Sequence, residues 1–141
     1  MRLLFLDFDG VLHPSGTPAG QSLPFEWLPA LARLLDPFPD VGVVVHSTWR
    51  EQFSLDYIQD FLESLGDRFI DVAPPGEKAQ AIQQFLREHP EVGRALILDD
   101  EPEQFKGIIA GDVLVVACEP RRGISCEQPQ LKVLTWLQAR T

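Results

Sequence analysis

The segment Phe5-Leu-Asp-Phe-Asp-Gly-Val-Leu-His13 ends an apolar run in two aspartates separated by one residue. Residues i and i+2 of an extended strand point the same way. If the extension persists to Asp9, then Asp7 and Asp9 face one ligand, and Gly10 lets the chain turn behind them. Later apolar runs end in groups of matching chemistry. His46-Ser47-Thr48-Trp49-Arg50 follows residues 41–45, Lys78 opens a helical pattern, and Asp99-Asp100 follows residues 95–98. Four carboxylates in one place are costly unless a cation neutralises them. Oxygen ligands with no cysteine and no histidine cluster suit a hard ion, most simply Mg²⁺. A carboxylate beside such an ion can attack phosphorus and form an acyl phosphate. A second carboxyl can protonate the leaving oxygen and later activate water. A serine and a lysine can hold the phosphoryl oxygens and balance charge. The chemistry indicated is phosphoryl transfer through an aspartyl-phosphate.

These groups form one site only if the elements before them bring them together. Residues 2–6, 41–45 and 95–98 are continuous apolar runs, the pattern of strands buried on both faces of a parallel sheet. Residues 69–72 and 113–117 read as two further strands. Apolar residues at helical spacing predict helices over 25–35, 54–65, 77–88 and 130–139, the second stopped by Gly66. Residues 13–24, rich in Pro, Gly, Ser and Thr, read as a loop. Strands alternating with helices predict an α/β fold with a doubly wound, mainly parallel five-stranded sheet. Ligands of such sheets bind outside the carboxyl ends of the strands, where the polar groups fall.

The same residues resemble the four motifs of the haloacid dehalogenase (HAD) superfamily, in order and over nearly the whole chain. Asp7-Phe-Asp-Gly-Val-Leu resembles the first, Ser47 the second, Lys78 the third and Leu96-Ile-Leu-Asp-Asp100 the fourth. The resemblance implies a Rossmann-like sheet of order 5-4-1-2-3. It implies that Asp7 is the nucleophile and a magnesium ligand, and that Asp9 is the general acid/base with its carbonyl on the metal. Ser47 would contact the phosphoryl group, Lys78 would position Asp7, Asp99 would ligate Mg²⁺, and Asp100 would act behind it. The second aspartate of the first motif implies a phosphatase or phosphotransferase rather than a dehalogenase. His46-Ser-Thr-Trp-Arg50 further resembles the HAD domains found in, or related to, the Swiss army knife RNA-repair proteins. The gaps between motifs are too short for a large cap domain. An open site would admit a large phosphorylated substrate, such as a polynucleotide end, or be closed by another subunit in a homo-oligomer.

Composition sets the remaining bounds. The chain of 141 residues reads as a single domain over 1–141. No apolar run approaches the ~20 residues of a membrane helix, and the N-terminus lacks a signal-peptide pattern, so a cytoplasmic location is expected. A net charge of −9 disfavours non-specific nucleic-acid binding, a local basic patch excepted. Cys118 and Cys126 read as free thiols.

Several residues carry two readings. Trp49 and Arg50 are either a packing residue and a surface charge, or a stacking platform and a phosphate-binding arm. His13 either lines the site or hydrogen-bonds within its loop, and His46 reads as packed at a strand end. Thr48 joins Ser47 as a candidate substrate contact. Arg121 and Arg122 read as a solvated loop or a basic rim. Two other functions use similar residues: a phosphorylation-controlled receiver module, whose motif order differs, and a non-catalytic binding module that keeps the metal site.

Overall fold

β1 (Arg2–Leu6) is buried at every residue. The computed structural model, which describes residues 1–15, 25–108 and 112–139, places it at the centre of a parallel sheet of order β3-β2-β1-β4-β5. β2 (Val41–Val45) and β4 (Arg94–Asp99) flank it, and β3 (Phe69–Val72) and β5 (Asp112–Ala117) form the edges. The apolar runs 2–6, 41–45 and 95–98 all become interior strands, as burial on both faces requires. The order is the expected one, read from the other edge.

The register positions the site. Leu6 lies opposite Val45 on one side and Leu98 on the other. Asp7, His46 and Asp99 are therefore level, one residue further along three adjacent strands. Pairing continues into this row, with the Asp7 amide on the Leu98 carbonyl and the His46 amide on the Leu6 carbonyl.

Alternation then decides which face each residue takes. Leu4, Leu6, Val43, Val45, Leu96 and Leu98 pack on one face with α1 (Leu28–Leu35) and α5 (Glu127–Gln138). Leu3, Phe5, Val44, Ala95 and Ile97 pack on the other with Ala81, Ile82 and Phe85 of α4 (Lys78–Glu88). Asp7, His46 and Asp99 share the parity of this second set. Lys78 is the first residue of the helix that covers it.

Beyond shifts of one residue at strand and helix ends, the helices differ from the sequence reading in several places. The first helix starts at Leu28 rather than residue 25, after a turn with Phe25 at φ 61°. A short helix, α2 (Trp49–Gln52), follows β2. The helix read over 54–65 ends earlier: α3 is Leu55–Phe61, followed by 3₁₀ turns over Glu63–Arg68 in which Gly66 has φ 61°. Gly66 thus interrupts the turns rather than capping the helix. α5 starts before residue 130 because Pro129 fits its first turn, where no amide partner is needed. The loop read over 13–24 lies mostly outside the described residues.

No described helix is long and apolar enough to cross a membrane. No cap domain is present among the described residues.

Candidate active site

Lys78 and the strand-end row form the centre of the site. Its ammonium donates to Asp7 Oδ2 at 3.1 Å and to Asp99 Oδ2 at 3.3 Å. The Asp7 side chain is otherwise buried, with its own Oδ1 accepting the Phe8 amide at 2.9 Å. Asp99 is fully buried. Its Oδ1 accepts the Glu101 amide at 2.8 Å, and His46 Nε2 lies 2.7 Å from its Oδ2.

Charge is unevenly shared across this row. Burial, and then the charge of Asp99, push the Asp7 carboxyl up to about 7, against the pull of Lys78. Burial also opposes ionisation of Asp99. The hydrogen bond and charge of His46, with Lys78 and the Glu101 amide, outweigh it and hold Asp99 at about 2. Burial lowers the pKa of His46 despite Asp99, so the ring is neutral and Nε2–H is the donor. Burial would lower Lys78 too, but Asp7 and Asp99 raise it above the usual lysine value.

Asp9 takes a different direction from Asp7. The Phe8 carbonyl accepts the amides of Val11 and Leu12, so the chain turns instead of staying extended. Gly10 adopts φ 78°, and a Cβ there would fall 2.3 Å from Asp100 Oδ2. The Asp9 carboxylate consequently lies with His13 Nε2 at 2.8 Å and Trp49 Nε1 at 3.0 Å. The extended geometry on which the two carboxylates would share one strand face thus does not persist to Asp9.

Ser47 is buried, and its Oγ accepts the Trp49 amide at 3.2 Å. Thr48 is exposed and lines a depression of ≈ 310 Å³ with Gly76, Glu77, Lys78, Ala79 and Gln104. Burial, and then the charge of Asp99, raise the Asp100 carboxyl to about 6. Cys118 is a buried free thiol whose pKa burial pushes up to about 12, so it is no nucleophile.

Arg50 also needs correction. It is neither a surface charge nor a phosphate-binding arm. Its guanidinium is buried and donates to five carbonyls: Ala73 and Pro74 at 3.2 Å, His46 at 2.7 Å, Ser47 at 3.0 Å and Gly76 at 2.7 Å. It staples the end of β2 to the loop before α4. Arg50→Met should therefore lower stability by about 2–4 kcal/mol, because several buried carbonyls lose their donors. Denaturant unfolding checks this, and an unchanged midpoint would contradict the staple.

His46 is the residue that sequence reasoning passed over. Read alone it is a histidine packed at a strand end. The signal was its parity with Val44, which puts it on the α4 face, level with two aspartates. Its Nδ1 is buried without a partner.

The donor set fits a hard divalent ion. One ligand atom each from Asp7, His46 and Asp99 falls within 4.8 Å of the others, the one such group among the described residues. His46 Nε2 is engaged with Asp99, which leaves the two carboxylates as the oxygen donors. Two buried carboxylates face one lysine here, and burial together with the charge of Asp99 raises the Asp7 carboxyl. The carboxylates of Asp9 and Asp100 lie outside this group; the resemblance implies a metal role for Asp9 through its main-chain carbonyl and for Asp100 behind the ligands.

A five-stranded parallel sheet with acidic strand ends and a bridging lysine is consistent with the HAD superfamily of hydrolases. The model of the HAD domain in Swiss Army Knife RNA repair proteins matches residues 3–128, and the chain belongs to that family. No curated protein gives a significant match.

Proposed function

We propose that this protein is a Mg²⁺-dependent phosphatase working through an aspartyl-phosphate on Asp7. The observation that carries the reading is Lys78 spanning Asp7 and Asp99 at the carboxyl ends of β1 and β4. Asp7 and Asp99 would hold the ion, which supplies positive charge against the phosphoryl oxygens when bound. Lys78 orients Asp7 Oδ2 and leaves Oδ1, tied to the Phe8 amide, in a fixed plane. An Asp7 oxygen forms the new bond to phosphorus as the ester bond breaks. Asp9 gives its proton to the departing oxygen and then takes one from the water that cleaves the acyl phosphate. The exposed Thr48, which lines one depression with Lys78, would receive phosphoryl oxygens, with the buried Ser47 next to it in the chain.

The substrate is a phosphate ester. The family's RNA-repair members make nucleic-acid ends with terminal phosphates the first class to screen, and the net charge of −9 argues for testing small esters and phosphoproteins alongside. The test is phosphate release from p-nitrophenyl phosphate with Mg²⁺ and with chelator. Release that depends on the metal is expected. Equal release in chelator would remove the metal from the reaction. No release from a broad panel, with Mg²⁺ binding intact, would return the non-catalytic module.

A further inference from the structure

Asp9 is held in an unusual way for a group with a proton to deliver. Each carboxylate oxygen has its own neutral N–H donor: His13 Nε2 on Oδ1 at 2.8 Å and Trp49 Nε1 on Oδ2 at 3.0 Å. The two donors come from different segments of the chain. His13 ends the turn that Gly10 opens, and Trp49 starts α2.

Both donors are themselves fixed. The Phe25 amide donates to His13 Nδ1 at 3.2 Å, so that nitrogen carries a lone pair and the proton sits on Nε2. In this tautomer His13 gives a hydrogen bond to Asp9 and takes no proton from it. The His13 ring is buried, 5.3 Å from the Phe25 ring and 5.4 Å from that of Trp49. Trp49 packs among Phe8, Phe25, Phe53 and Phe61 at centroid distances of 5.3–5.7 Å. Its main-chain amide meanwhile holds Ser47 Oγ. One residue thus fixes both Asp9 and Ser47, and Asp9 keeps 46% of its side chain open to the outside.

We propose that His13 and Trp49 are positioning residues that clamp the Asp9 carboxylate and so aim its proton outward at the leaving oxygen. The proposal rests on Asp9 being the general acid/base. In that step the Asp9 proton moves to the ester oxygen, the P–O electron pair stays on that oxygen, and phosphorus is left bonded to Asp7. A poor leaving group needs this proton, whereas a nitrophenolate departs without it. A buried indole or imidazole N–H that merely needed an acceptor would show no such dependence.

The experiment compares kcat for phenyl phosphate and p-nitrophenyl phosphate in wild type, Asp9→Asn, Trp49→Phe, His13→Leu and His13→Gln. Trp49→Phe keeps an aromatic ring in the cluster and removes the N–H together with the five-membered part of the indole. Trp49→Phe and His13→Leu should each lower kcat for phenyl phosphate by on the order of 10- to 10²-fold, with far smaller losses on p-nitrophenyl phosphate and little change in KM. His13→Gln, which restores an N–H at similar reach, should recover much of the loss. Equal losses on both esters would overturn the clamp. Leaving-group dependence in Asp9→Asn but in neither donor variant would overturn the clamp alone. Its absence in Asp9→Asn would overturn the acid/base reading and the clamp with it. Nitrogen NMR gives a readout independent of turnover. His13 should carry its proton on Nε2, and Asp9→Asn should shift both the His13 and Trp49 N–H resonances. A proton on Nδ1, or unmoved resonances, would overturn the proposal.

Discussion

Asp7→Asn should abolish phosphate release and, in the absence of metal, make the protein more stable. The activity loss is expected to reach at least 10⁴-fold, on the order seen when a nucleophile is removed. The stability gain follows from the carboxyl at about 7 in the fold against its ordinary value of 3.8. A carboxyl raised by folding ionises more readily in the unfolded chain. Metal-free wild type therefore loses stability as pH rises from about 4 through 7, and the asparagine variant is spared that loss. The two proteins should unfold alike below pH 4. At pH 8 the variant should gain about 2–4 kcal/mol, at ~1.4 kcal/mol per pKa unit. Unfolding curves in chelator at both pH values check this. A variant less stable at pH 8 would mean that Asp7 gains more from Lys78 than burial and Asp99 cost it. A variant that still releases phosphate would remove Asp7 as nucleophile.

Lys78→Met should act in the opposite direction on stability and the same direction on activity. The Lys78 side chain is 15% exposed and serves two carboxylates. Without it, Asp7 and Asp99 face each other across a dry gap. The expected cost is about 3–5 kcal/mol in metal-free protein at neutral pH, the range for breaking a buried pair. The cost should shrink on acidification, as Asp7 takes up a proton. It should also shrink when Mg²⁺ is added, since the ion replaces the missing charge. The loss in kcat is expected at about 10²–10³-fold. A melting temperature equally insensitive to Mg²⁺ in wild type and variant would argue against an ion between these carboxylates.

The parallel sheet was legible because continuous apolar runs leave few alternatives for strands such as Arg2–Leu6 and Val41–Val45. The row Asp7, Asp99 and Lys78 was legible for a related reason. A charged group directly after a buried strand has to lie at a sheet end, and the start of the covering helix lies at the same end. Residues after the strands were harder. Asp9 follows Asp7 by two, but the turn over 8–12 comes from hydrogen bonds to the Phe8 carbonyl and from Gly10, which alternation does not report. His46 was undervalued because a single strand gives no register. Only the pairing of Leu6 with Val45 shows that it stands beside Asp7. Arg50 looked available because arginines mostly are, and its five carbonyl partners come from segments up to 26 residues apart.

That staple bears on turnover rather than on folding alone. Arg50 locks the end of β2, which carries Ser47, to the loop ending at Gly76, two residues before Lys78. The segments that carry Ser47 and Lys78 are thus tied together by hydrogen bonds of the buried Arg50. No cap domain is present among the described residues. Enzymes gated by a lid slow in viscous solvent, because the lid must push that solvent aside. With an acyl phosphate formed on Asp7 as proposed, a site braced in this way is expected to be limited by a chemical step, and its kcat should be the same in buffer and in sucrose.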